Sequence, residues 1–160
     1  KPTNWDVTVY ERSGTIVLET EEQIRNNGSA RIEIQGNACI PVPPLFKNSY
    51  EQIELNIDRI GILYDLDSVS IIQEPAKIEE GENEIIKTII SIPTMAFQQS
   101  DARNQTGIQD ANLSQIIEMF AIRNKDYFTM AYIYLGSSEE LNAESEEIVT
   151  SIRLICSTEP

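Results

Sequence analysis

Leu113–Leu135, which reads LSQIIEMFAIRNKDYFTMAYIYL, holds both the one helical period of the chain and its most apolar run. In the first half, Leu113, Ile116, Ile117 and Phe120 follow i, i+3, i+4, i+7, the spacing that puts four side chains on one face of a helix. Asn112 stands where an N-cap belongs, and Gln115 follows three residues later, close to a capping box. The spacing predicts an α-helix over 113–124. In the second half, Phe128, Met130, Tyr132 and Tyr134 alternate with Ala131, Ile133 and Leu135, so both faces of a strand over Tyr127–Leu135 are apolar. Such a strand belongs in the middle of a sheet, covered on both sides.

Working outward, the rest of the chain reads as strands. Isoleucine occurs 25 times against 9 leucines, and its β-branched side chain suits a pleated surface better than a helix. Trp5, Val7 and Val9 alternate with Asp6, Thr8 and Tyr10, and a turn-like Arg12-Ser13-Gly14 follows. Ile32 and Ile34 alternate with Arg31, Glu33 and Gln35, and Ile152, Leu154 and Cys156 with Arg153 and Ile155. Ile85–Ile92 is a strand stopped by Pro93. Between Gln52 and Gln73 the apolar positions are odd at Ile53, Leu55 and Ile57 but even at Ile60, Ile62, Tyr64 and Leu66. Read at a period of two, this predicts two or three short strands, with a bulge or tight connection at Asp58-Arg59 and a turn near 65–68. Gln73-Glu74-Pro75 and Glu79–Asn83 have turn chemistry.

Seven to nine strands with one inserted helix predict a mainly β chain. The expected architecture is an antiparallel β-sandwich, immunoglobulin-like or jelly-roll in outline, with the helix at 113–124. Length and a 41% apolar composition fit one domain over 1–160. Within it, 1–10 is a strand suited to exchange between subunits. No apolar run approaches the roughly 18 residues of a membrane span.

The charge removes more functions than any motif adds. There are 26 acidic and 12 basic residues and no histidine, a net charge of −14. Phosphate backbones are repelled, which excludes nucleic acid as a partner. Without imidazole there is no Ser-His or Cys-His pair and no His-ligated metal. Carboxylate chemistry survives, but with so many acids no pair stands out, and phosphate loops and nucleophile elbows are absent. The chain is therefore expected not to be an enzyme. The charge is also local: residues 1–50 carry 5 basic and 6 acidic side chains, against 3 and 10 in 51–100 and 4 and 10 in 101–160. Glu139, Glu140, Glu144, Glu146 and Glu147 read as a solvated acidic loop before the last strand.

Asp65 and Asp67 at a strand end, with Asp101, Asn104 and Asp110 in the long polar stretch 98–111, are the oxygen donors from which a calcium site could be built. No cofactor other than calcium is expected. Cys39 and Cys156 lie too far apart for a CxxC motif; a long-range disulfide suits an oxidising compartment, and two buried thiols are the alternative. Asn27, Asn104 and Asn112 head N-glycosylation sequons. Trp5, Val7 and Val9 are the expected subunit contacts, because an N-terminal alternating strand can add to a neighbouring sheet. The resulting expectation is a non-catalytic, extracellular or cell-surface structural or adhesive subunit. It would associate with itself or another surface protein, into a filament or coat, by strand donation. A glycan- or calcium-binding module and a carboxylate-dependent hydrolase are the alternatives.

Overall fold

The computed structural model describes residues 5–20, 31–36, 48–67, 69–80, 83–93, 114–125 and 127–154. Its strands are β1 (Trp5–Tyr10), β2 (Thr15–Thr20), β3 (Arg31–Ile34), β4 (Ser70–Glu80), β5 (Glu84–Pro93), β6 (Ser114–Asn124) and β7 (Tyr127–Tyr134). Two helices, α1 (Ser49–Leu63) and α2 (Glu139–Thr150), complete the described elements. All seven strands join one antiparallel sheet in the order β1-β2-β3-β7-β6-β5-β4. It consists of a three-stranded meander, β1 to β3, and a four-stranded one, β4 to β7. The seam between them is β3 on β7, where Ile32 pairs with Ile133 and Ile34 with Ala131.

The chain is mainly β, as expected, but a single open sheet replaces the sandwich. Helices cover its faces where a second sheet was expected. Ile53, Ile57 and Ile60 of α1 pack with Ile86, Ile90, Met119, Met130 and Tyr132 on one face. Leu141, Ile148 and Val149 of α2 pack with Ile32, Phe120, Ile122 and Ile133 on the other. Strand residues alternate between the two clusters, as a period of two requires.

The helix expected at 113–124 is strand β6. Ile117 and Met119–Ile122 are buried on both faces, so burial erases the polar-apolar alternation that identifies a strand. Glu118, polar but only 7% exposed, broke the run into a helix-like spacing. The opposite error falls on 52–73. Ile53, Ile57, Ile60 and Tyr64 are spaced for one face of a helix, and a 3.6-residue period sampled in twos drifts from odd to even positions. Asn48 caps α1 by accepting the Tyr50 N–H at 3.0 Å. Gln73-Glu74-Pro75 lies within β4 rather than at a turn. The acidic loop at 139–147 is the helix α2: Ser138 Oγ accepts the Leu141 N–H at 3.3 Å, and Glu139 and Glu140 sit in the first turn, where the helix dipole favours negative charge. The last expected strand is absent over 151–154; Ile152 and Leu154 instead pack against the α2-side core.

The first strand, the turn after it and the strands at β3, β5 and β7 match the sequence reading; β2 and the hairpin it forms with β1 were not read. Gly14 closes the β1–β2 turn at φ 68°, donating its N–H to Tyr10 O at 2.7 Å. Gly36, just past β3, touches that turn: a Cβ there would lie 2.3 Å from the Gly14 carbonyl carbon and 2.4 Å from Ser13 O. Only hydrogen fits. Gly36→Ala is expected to lower stability by about 1–3 kcal/mol, read as a fall in the thermal unfolding midpoint, whereas Gly61→Ala in α1, whose Cβ would meet nothing closer than 3.7 Å, should not.

Candidate functional site

An open sheet has two edges, and here they differ in kind. β1 pairs with β2 residue for residue from Trp5↔Thr20 to Tyr10↔Thr15, without a bulge. It contains no proline, no lysine and one charge, Asp6. Among the described residues nothing pairs with its outer side, so alternate N–H and C=O groups face outward unpaired. Val7, Val9 and Tyr10 are 60%, 57% and 53% exposed. The register places Val7 and Val9 beside Leu18 and Ile16, and these beside Ile32 and Ile34, so an apolar row on the α2 side of the sheet runs out to this edge. On the other side the same three strands are mostly polar around the buried Val17: Arg31 lies 3.4 Å from Glu19 and 3.7 Å from Glu33.

β4 is the opposite. Its register against β5 slips three times, between Ile71 and Gln73, Gln73 and Ala76, and Lys77 and Glu79. Each slip puts an extra residue into β4, and Pro75, which has no N–H to offer, falls in the middle one. Bulges, a proline and an edge lysine are the devices that stop a strand from templating another.

Among the described residues, two polar centres tie the sheet to its helices. On the α2 side, Lys87 Nζ sits 3.0 Å from Glu118 Oε1 and 2.7 Å from Glu146 Oε1, and 5.4 Å from the centre of the Phe120 ring. Burial pushes the Lys87 ammonium towards lower pKa, but the two carboxylates outweigh it and the net shift is upward. A nucleophilic or Schiff-base lysine needs the reverse. This one is a permanent cation tying α2 to β5 and β6. On the α1 side, Tyr132 donates to Asn56 Oδ1 at 2.9 Å and accepts from Gln35 Nε2 at 2.8 Å. Burial, reinforced by Glu33, raises its pKa, so it remains a neutral phenol joining α1 to the end of β3. The sequence reading missed both centres. The signal for the first was a lone charge inside each of two isoleucine-rich runs, Lys87 in 85–92 and Glu118 in 114–122.

Of the residues singled out from sequence, Trp5, Val7 and Val9 lie on β1, the last two exposed. Asp65 and Asp67 are exposed in the turn after α1, Asp65 at φ 52°. Asp101, Asn104 and Asp110, the cysteines Cys39 and Cys156, and the sequon residues Asn27 and Asn112 lie outside the described residues. Among the described residues no group of three or more His, Cys, Asp or Glu side chains could hold a metal ion, and no helix is long and apolar enough to cross a membrane. Comparison with known protein families, characterised proteins and solved structures finds no match to this chain.

Removing the cation should be costly and removing the pair should not. Lys87→Met strands the Glu118 carboxylate in an apolar layer and is expected to cost about 3 kcal/mol in urea unfolding, while Lys87→Met/Glu118→Leu recovers most of it. Glu84 tests the acid side. Partial burial pushes its carboxyl up, but the Ser49 hydroxyl at 2.8 Å and the Lys77 ammonium at 3.2 Å, with Arg123 nearby, hold it below the ordinary value. A lowered folded-state pKa adds stability above the unfolded value and loses it as pH falls through the folded one. Glu84→Gln should therefore show a shallower fall in unfolding midpoint between about pH 5 and pH 3 than the native chain, with parallel curves above pH 6.

Proposed function

We propose that this chain is a non-catalytic structural subunit of an extracellular or cell-surface assembly, joined to other protein chains along the β1 edge of its sheet. The observation that carries the reading is the contrast between the edges: β4 is bulged and broken by Pro75, while β1 is unbroken, nearly uncharged and bordered by exposed valines. Natural sheets that are not used for pairing defend both edges. An added strand gains main-chain hydrogen bonds for affinity and alternate side chains for fit.

The chemistry inside the fold supports a non-catalytic role. Lys87 is neutralised by two carboxylates, Tyr132 is locked between two amide side chains, and the chain has no histidine. The mode of joining differs from strand donation. β1 is held by its own hairpin to β2 through a four-residue turn, so it serves as the rim of a finished sheet and need not leave it.

Native material from its source is expected to run in gel filtration as an assembly larger than one chain, and Val7→Lys/Val9→Lys expressed in the same source should run as a single folded chain. Native material that runs as a single chain, or an edge variant that assembles like the parent, would overturn the reading.

A further inference from the structure

We infer that the partner on the β1 edge is a second copy of this chain, paired antiparallel about a two-fold axis through Thr8, and that the assembly so formed closes at two copies. The inference rests on the edge-docking reading above and narrows it to one occupant.

Symmetry makes the case. A two-fold axis perpendicular to the sheet is the operation that pairs an edge strand antiparallel with itself, and it keeps each face of the sheet on the same side in both copies. Centred on Thr8, it sets Val7 opposite the partner's Val9 and Thr8 opposite the partner's Thr8. The valine row on the α2 side then continues across the junction as β-branched pairs, which favour strand association. On the other side Asp6 falls opposite the partner's Tyr10, a carboxylate beside a phenol hydroxyl. The two Asp6 carboxylates stand four residues apart along the ladder, so no like charges face each other. Every exposed side chain of β1 thus meets a compatible one from the same six-residue sequence.

Charge points to the same edge. A chain at −14 resists its own copy almost everywhere, but residues 1–50 are close to neutral, with 5 basic and 6 acidic side chains. On β1 to β3 and the turn between β1 and β2, the described residues carry Arg12 and Arg31 against Asp6, Glu11, Glu19 and Glu33, so joining at β1 brings together ends that hold little of the surplus. β4 lies six strands away, about 30 Å at the usual strand spacing and well beyond the Debye length of about 8 Å. Closure follows from β4. A filament joined edge to edge needs two open edges, and among the described strands the bulges and Pro75 leave one.

A contact built on one six-residue strand, about 20 Å long, is small beside stable interfaces, so the dimer should dissociate in the micromolar range. Sedimentation of the purified full chain from about 1 to 500 μM should fit a monomer–dimer equilibrium. Val7→Lys/Val9→Lys should weaken it about tenfold or more, while Ile71→Lys/Ile78→Lys on the β4 edge should leave it unchanged, each variant being checked for native circular dichroism. Amide exchange on the wild-type chain provides a test without substitution: protection of 5–10 should rise with concentration, and that of 70–80 should not. A purified chain that stays monomeric while native material still assembles through β1 overturns the second-copy inference and leaves the edge-docking reading standing. Growth beyond two copies, or dimers unaffected by the β1 substitutions, overturns the inference directly. Monomers in both purified and native material overturn both.

Discussion

The strands β5, β6 and β7 are covered on both faces, and that single constraint organises the molecule. A backbone sealed from water must pair every N–H and C=O within the sheet, so these strands sit in the interior of the strand order, with β4 on one flank and β3 on the other. Two helices are then required, one for each face, because burying a large aliphatic side chain contributes about 1.5–3 kcal/mol only if something covers it. α1 seals the face bearing Ile86, Ile90, Met119 and Met130, and α2 the face bearing Ile85, Phe120, Ile122 and Ile133. Towards β1 the covering thins out. β2 is half-buried, and β1 beyond its first residue is exposed on both sides.

Polar groups inside the layers act as fasteners. Tyr132 reaches α1 through Asn56 and the end of β3 through Gln35; Lys87 reaches α2 through Glu146 and the neighbouring strand through Glu118. A buried ion pair adds little to stability when compared with a well-packed apolar substitute, but a cation at one point of the sheet specifies where an acidic helix lies. The acidic surplus of the chain is therefore not only solvating: Glu118 and Glu146 are part of it and hold α2 in place. Among the described residues, most of the remainder lies on α1, the turn after it, β4 and α2 rather than on β1.

Much of this was legible in the sequence. The alternating Trp5–Tyr10 strand, the strand ended by Pro93 and the doubly apolar Tyr127–Leu135 are local patterns whose cause is local: a period of two, a missing N–H, a run without polar positions. The candidate edge was partly legible, because Trp5, Val7 and Val9 stand out near the start of the chain, but nothing in those residues says that β1 ends up at the rim. The interior polar centres were not read, since Lys87 and Glu118 become informative only when two strands are known to be neighbours.

Sequence by itself determined that the chain would be mainly β, with no imidazole chemistry and with a negative field concentrated beyond residue 50. Only tertiary structure decided what covers the sheet. Seen alone, 114–124 with its buried Glu118 imitates a helix, and 49–63 with its drifting apolar phase imitates strands; periodicity reports which side chains are polar, not which are buried. The charge of Lys87 made Glu118 acceptable inside, and the apolar face of α1 found its place on β5 and β6. Those pairings across long stretches of chain, rather than any local preference, give the described residues one sheet with a helix on each face where a sandwich was expected.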